Sequence, residues 1–415
     1  MKSIILLLLL VSASYSSFGY SRIELERIWT IEAPEPGAHV TFEGMLVFND
    51  SFQKVYLIHT EPEMDMMEDE NGSIRLQYEG TMDGTVLRLK GSTLVELYYN
   101  TSLKEDPPLP EGELGYTELT MPNQAIRMQA QALKEDTALE TIRNLANWVH
   151  QNVEYDLGYW GQTRTAEEIF SQRRGVCVQY SHLFISMARS LGLQTRYVSG
   201  YVNVNRAWQA HAWTEVYVPD YGWLPVDPTF GEVGTLDNSH LIIAYGTDQE
   251  SIYDSLFSNK PDTLFSVDDS LSAKLDSEDP HGIQMLLSFQ RELLTLEVTV
   301  RNTDDDYQFA TYSYAAPEDY GGQVGEIILL KPNEERHFYY SLNNSLFQDG
   351  YTYRIPVRAS ANDAVAEEEI VINRPHQQET AAESVQEATS CLLPSLVFML
   401  ILFISSLAIF ERKYR

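Results

Sequence analysis

At Gly192 the hydrophobic pattern switches period, and few folds accommodate such a switch. Before it, Tyr180, Leu183, Phe184, Met187, Ala188 and Leu191 recur at three- and four-residue steps, the spacing of one helix face, and Gly192 closes the helix. After it, Gln194 to Val202, His211 to Val218 and Trp223 to Val226 read as strands, with Pro219-Asp220-Tyr221-Gly222 as the turn between the last two. Upstream, Thr137-Ala138-Leu139-Glu140 has the form of a capping box, and Leu139, Ile142, Leu145, Ala146 and Val149 follow at helical steps. Thr165-Ala166-Glu167-Glu168 repeats the capping pattern before a short helix carrying Ile169 and Phe170. Residues 119–250 are therefore expected to form a mixed α and β domain.

Cys177 lies three residues before Tyr180 and so continues the buried stripe at the N-terminal edge of its helix. Unpaired N–H groups and positive potential at a helix N-terminus favour thiolate over thiol, and the same N–H groups suit an oxyanion. Taken alone, such a cysteine is better explained by packing. His211 and Asp227 change the reading. His211, Trp213, Glu215 and Tyr217 alternate with Ala212, Thr214, Val216 and Val218. If the loop pairs Val218 with Gly222, Asp227 falls opposite Trp213 and diagonal to His211 on the same face, within reach of an imidazole–carboxylate contact. A slip of one residue would send Asp227 to the other face. A thiol, an imidazole and a carboxylate then have assigned roles: Cys177 attacks a carbonyl, His211 moves the proton, and Asp227 orients the ring.

Other residues bear on the same site. Gln172, five residues before Cys177, is a possible oxyanion donor. Tyr155 and Trp160 suit either a cleft wall or a core. His150 and His182 lie off the apolar stripes and receive no role. No phosphate-loop, zinc-helix or calcium-loop motif is present, and Asp304-Asp305-Asp306 lacks the alternating spacing of a calcium loop. Neither a metal nor a cofactor is expected.

The chain has 2 cysteines, so only Cys391 could pair with Cys177. Its net charge of -31, spread along the sequence, argues against a nucleic-acid partner. Lys2 followed by the apolar run Ile4 to Val11 and a small-residue stretch reads as a signal peptide over residues 1–19. Cys391 to Phe410 is uncharged and long enough to span a bilayer, and Arg412, Lys413 and Arg415 place its far side in the cytoplasm. The expectation is a single-pass cell-membrane protein with its catalytic portion outside. Asn-x-Ser/Thr triplets at Asn49, Asn71, Asn100 and Asn343 accord with that location.

The expected organisation is a signal peptide (1–19), an N-terminal β-sandwich-like domain (20–118), a catalytic domain (119–250), a polar linker (251–285) and an immunoglobulin-like β-sandwich (286–373). A stalk (374–390), a transmembrane helix (391–410) and a cytoplasmic tail (411–415) complete it.

The stretches Arg173-Arg174-Gly175-Val176-Cys177, Ala188 to Tyr201, His211-Ala212-Trp213-Thr214-Glu215-Val216-Tyr217 and Gly222 to Thr229 resemble the transglutaminase-like superfamily of papain-type thiol enzymes. The resemblance covers about residues 130–232, and the microbial, membrane-anchored members are its nearest match. It implies an α+β papain-like core in which the nucleophile helix packs on an antiparallel sheet. It also implies Cys177, His211 and Asp227 as catalytic residues. Val178 follows the cysteine where the animal cross-linking enzymes have Trp, which favours the protease-like members. The expected function is a thiol enzyme attacking protein or peptide amides through a thioester, with hydrolysis favoured. Glutamine γ-glutamyl transfer, or a non-catalytic surface-binding role, are the alternatives. Oligomeric state is not legible in the chain.

Overall fold

A computed structural model describes residues 20–375, apart from 51, 69–71, 99–102, 113, 205, 235–239 and 275–281. The expected signal peptide, transmembrane helix and tail, nearly all of the stalk, Cys391, Asn71 and Asn100 lie outside the described residues. Among those described, no helix is long and apolar enough to cross a membrane.

The N-terminal strands are β1 (Tyr20–Glu32), β2 (His39–Phe48), β3 (Gln53–Glu61), β4 (Asp65–Glu68), β5 (Ser73–Thr81) and β6 (Val86–Tyr98). They form two sheets, one containing β1-β6-β3 and the other β2-β5-β4. Between them Ile23, Leu25, Trp29, Phe42, Leu46, Leu76 and Val95 are buried, so alternate residues of each strand point inward as the pleat requires.

Four helices follow: α1 (Gln124–Leu133), α2 (Ala138–Asn152), α3 (Ala166–Gln172) and α4 (Cys177–Arg189). The two-residue strands β7 (Glu154–Tyr155) and β8 (Arg174–Gly175) pair in parallel beside them. Helix α1 was not expected from the sequence. Asn123 caps it by accepting from Ile126 N–H at 2.9 Å, and only Ile126 and Ala130 of its residues are buried, a thin apolar signal. The capping box holds for Thr165 and Glu168. It does not hold for Thr137, whose side chain makes no cap bond. Asp106 Oδ1 instead accepts from Leu139 N–H at 2.8 Å, and the Pro107 carbonyl from Ala138 N–H at 2.7 Å. Leu103 joins the same core, so residues 103–110 pack against the helices rather than closing the N-terminal sandwich.

Helix α4 is buried on nearly every side, including Ser181, His182 and Ser186. The amphipathic expectation therefore fails for it: the sheet covers one face, α1, α2 and α3 cover much of the rest, and Gln249 and Ile252 also meet it. The sheet is antiparallel and five-stranded, in the order β12-β11-β10-β9-β13, built from β9 (Thr195–Val204), β10 (Ala207–Val218), β11 (Gly222–Asp227), β12 (Glu232–Val233) and β13 (His240–Gly246). Val216, Val218, Leu224 and Val226 meet Tyr180, Leu183, Phe184 and Met187 in the shared core.

Residues 251–285, expected as a linker, hold two strands. β14 (Ser255–Ser258) pairs with β2 and β15 (Leu264–Lys274) with β1, raising each N-terminal sheet to four strands. Asp254 anchors the return, accepting from Trp29 Nε1 at 2.7 Å and from Met45 N–H at 2.8 Å. The chain thus leaves the first sandwich, builds the helical domain and comes back.

A second pair of sheets follows. β16 (Ile283–Gln290), β17 (Thr295–Asn302), β18 (Gln308–Ala315), β19 (Gln323–Leu330), β20 (Glu335–Ser341), β21 (Tyr351–Ala361) and β22 (Ala364–Arg374) form sheets ordered β16-β17-β20 and β19-β18-β21-β22. Tyr312 stacks on Phe338 at 4.1 Å and Tyr314 on Tyr340 at 3.7 Å, joining the two sheets. Residues 343–355 and 369–375 group as a separate small unit, in which Phe347 packs edge-on against Tyr353 and Arg354 pairs with Glu369.

Candidate active site

Cys177 is the first residue of α4 and is buried. The turn that delivers it is tightly specified. Arg173 ends α3 in the left-handed region (φ 60°), with its guanidinium over the rings of Trp148 and Phe170 at 4.4 and 4.2 Å. Two residues on, a Cβ at Gly175 would lie 2.8 Å from that of Gln179. Gln179 then reaches back, its Oε1 accepting from Val176 N–H at 2.9 Å, while its Nε2 donates to the Gln162 carbonyl at 2.7 Å. The first N–H groups of a helix have no intrahelical carbonyl to meet, so those at Cys177 and Val178 start the helix as available donors.

His211 lies on β10 opposite Gly200 of β9. Gly200 permits the close packing here, since a Cβ would sit 2.0 Å from the Leu241 carbonyl oxygen. The His211 ring stacks on Phe230 at 4.9 Å. Val218 faces Gly222 and Thr214 faces Val226, the register under which Asp227 comes level with Trp213. His211 Nε2 is 2.6 Å from Asp227 Oδ2. A carboxylate only accepts, so Nε2 carries the proton and Nδ1 is left for the thiol. Cys177 and His211 line one open cleft of about 350 Å³, with Gln162, Thr163, Ser199 and Gln249 among its other walls.

Asp227 is wholly buried and has four donors. Its Oδ1 accepts from the N–H groups of Thr229 and Phe230 at 2.7 and 3.2 Å, and its Oδ2 from His211 and, at 3.3 Å, from His240 Nε2. Burial alone would raise its pKa, but the charge and hydrogen bond of His211, then those of His240, hold it well below the usual carboxylate range. For His211 burial opposes protonation. The Asp227 charge and hydrogen bond, with a smaller contribution from Cys177, more than offset it, and the pKa is pushed up to about 9.

His240 went unnoticed in the sequence because it is a lone histidine on the far edge strand of the sheet. His211, Asp227 and His240 bring ligand-type atoms within 4.8 Å of one another. The fit to a metal is poor. The 2.6 Å between His211 and Asp227 is a hydrogen-bond length, whereas two ligands of a tetrahedral zinc at ~2.0–2.1 Å stand about 3.3 Å apart.

Of the other residues weighed, Trp160 lines the cleft and Tyr155 is half-exposed near it, its pKa raised by burial and then by the charges of Cys177 and Asp227. Gln172 does not line the cleft: its Oε1 accepts from Tyr159 OH at 2.5 Å. His182 is buried inside α4. His150 Nδ1 lies 3.1 Å from the Thr229 carbonyl.

A thiol at a helix N-terminus facing an imidazole–carboxylate pair on an antiparallel sheet is the arrangement of a papain-like thiol-enzyme fold. Residues 127–228 match the family model of the transglutaminase-like superfamily, and this part of the chain is a transglutaminase-like domain. The chain is 36% identical over 72 residues to a protein-glutamine gamma-glutamyltransferase of Pseudomonas aeruginosa, matching 15% of this chain and 11% of that one. It is 28% identical over 171 residues to a peptide-N(4)-(N-acetyl-beta-glucosaminyl)asparagine amidase of Rattus norvegicus, covering 38% of this chain and 25% of that one. A solved structure assigned to the cysteine proteases, from Cytophaga hutchinsonii, overlaps 63% of this chain and 92% of its own at 19% identity and a TM-score of 0.48. Across the curated relatives it matches, the chain spans at most 40% of their length.

Proposed function

We propose that this protein is a thiol enzyme that cleaves amide bonds of proteins or peptides, with Cys177, His211 and Asp227 as its catalytic residues. The observation that carries the reading is the buried 2.6 Å His211–Asp227 contact set beside the one cysteine of the cleft. With its pKa near 9, the ring holds a second proton, on Nδ1, at neutral pH, so positive charge stands beside the sulfur. The sulfur attacks the carbonyl carbon, and the developing oxyanion is met by N–H groups at the start of α4. His211 gives its proton to the leaving nitrogen as the C–N bond breaks, and a thioester remains. Water then attacks the thioester, His211 takes its proton, and the sulfur is released with the acid product.

Transfer to an amine in place of water is the second reading, favoured by the likeness to the γ-glutamyltransferase. The two separate on one measurement, the fate of a labelled amine incubated with candidate proteins. Incorporation that disappears in Cys177→Ala supports transfer; cleavage without incorporation supports hydrolysis. The sequence features at both ends lead us to place this activity outside the cell on a membrane anchor.

The catalytic assignment is tested by alkylation of Cys177 across pH in the wild type and in His211→Ala. Reaction at pH 6 is expected to be tenfold or more faster in the wild type, where a model thiol of pKa ~8.5 is almost wholly protonated. Equal rates, both titrating like a model thiol, would sink the enzyme reading.

A further inference from the structure

We propose that His240 is a positioning residue for this site: its ring N–H fixes the Asp227 carboxylate, which in turn orients His211. The inference rests on the reading of Cys177, His211 and Asp227 as the catalytic set. His240 opens β13, opposite Val202 of β9, and its side chain reaches over Trp213 of β10 to Asp227 on β11, three strands along the sheet. Its Nε2 lies 3.3 Å from Oδ2, the same oxygen that binds His211. Oδ1 is already committed to the turn at Thr229 and Phe230. The orientation of the carboxylate about its Cβ–Cγ bond is therefore set by the turn on one oxygen and by two imidazoles on the other.

The His240 ring is itself held. Trp213 meets it edge-on at 5.2 Å, Phe230 at 6.2 Å, and His211 is tilted against it at 5.8 Å. Three aromatic contacts restrict the ring, and Nε2 is directed at the carboxylate. Among the described residues, the ionisable groups around the cluster are Asp227 on β11 with Glu232 opposite it on β12, His211 on β10, Cys177 on α4 and, by its charge coupling, Tyr155 on β7. Without the His240 donor, Asp227 Oδ2 would have His211 as its sole imidazole partner and would bind the His211 proton more strongly. Removing His240 should thus raise the pH at which His211 loses its proton, and loosen the ring that serves the thiol.

The test uses the full chain and an anionic alkylating agent, chloroacetate, which is drawn to the cleft while His211 is an imidazolium. In the wild type its reaction with Cys177 should fall as pH rises through about 9. His240→Phe keeps an aromatic ring and removes the donor; His240→Gln supplies an amide N–H. The fall is expected to move up by about half a pH unit or more in His240→Phe, with a rate at neutral pH on the order of 10-fold lower. His240→Gln should return both toward wild type. A His240→Phe protein, folded by circular dichroism, with the wild-type rate and the wild-type fall overturns the inference and leaves the enzyme reading intact. A wild type that alkylates as an ordinary thiol at every pH overturns the enzyme reading and this inference with it.

Discussion

His182 offers a measurement of the core behind the site. It sits in mid-α4 with no exposed surface, tilted against Tyr197 at 5.5 Å, and its Nε2 accepts from Gln249 N–H at 3.3 Å. Burial pushes its pKa from 6.5 down to about 4. For a depressed base the unfolded chain takes up a proton below 6.5 while the folded chain refuses one until about 4. The contribution is neutral above that window, and stability is lost as pH falls through it. The slope is ~1.4 kcal/mol per pH unit, so between pH 6.5 and 5 this one group costs roughly 2 kcal/mol. His182→Gln retains an acceptor for Gln249 and does not titrate. Urea unfolding of both proteins at pH 7, 6 and 5 gives a difference from which all shared titrations cancel. The variant is expected to be the less stable at pH 7, and the gap should close by about 2 kcal/mol at pH 5. Parallel curves would refute the placement of a neutral, buried His182.

Other substitutions read other parts of the structure. Asp227→Asn removes the charge that raises the His211 pKa; activity should fall by roughly 10³–10⁴, and the alkaline loss of chloroacetate reactivity should move down from about 9. Gly200→Ala drives a Cβ to 2.0 Å from the Leu241 carbonyl oxygen, and backbone cannot step aside; a loss of about 2 kcal/mol or more in chemical denaturation is expected. Arg196 lies between Trp223 and Tyr245 at 4.2 and 3.3 Å and binds Glu215 through Nε at 2.7 Å. Lysine has no planar group to stack there, so Arg196→Lys should leave Glu215 poorly paired and cost about 3 kcal/mol, seen as a lowered Tm.

The transglutaminase-like half of the fold was legible because its signals are local. Helix α4 and strands β9 to β11 follow one another with short connections, and the turn before Gly222 sets the register that brings Asp227 level with Trp213. What the sequence hid is long-range. β15 pairs with β1 some 240 residues away, and its inward-facing row of Phe265, Val267 and Leu271 is broken by Asp269. That carboxylate is accommodated by Arg27 Nε at 2.8 Å and by the hydroxyl of Tyr201, partners no local pattern announces. With an acid in the middle of the stripe, the segment reads as polar linker. His240 was hidden for a related reason: it meets Asp227 across the width of the sheet. The burial of His182 was hidden because an apolar stripe implies that the opposite helix face meets water, and α4 has no such face.

Helix α4 also supports the cleft wall, which bears on how rigid the site is. The wall at residues 160–163 is tied twice. Gln179, two residues after Cys177, donates to the Gln162 carbonyl at 2.7 Å; Gln249 Nε2 donates to Thr163 Oγ1 at 2.9 Å, and its own N–H rests on His182. Candidate nucleophile, first tie and support of the second tie thus lie within two turns of one helix, so the wall keeps its distance from the sulfur as the helix moves. Gln179→Ala cuts the first tie and also strands the Val176 N–H that precedes Cys177. Each orphaned group costs about 1–3 kcal/mol if it stays buried, and the wall can recover part of that only by swinging toward water. Alkylation of Cys177 by neutral iodoacetamide should then speed up several-fold while overall stability falls. A slower or unchanged alkylation in the folded variant would mean that Gln179 holds the nucleophile turn alone and that the wall stands without it.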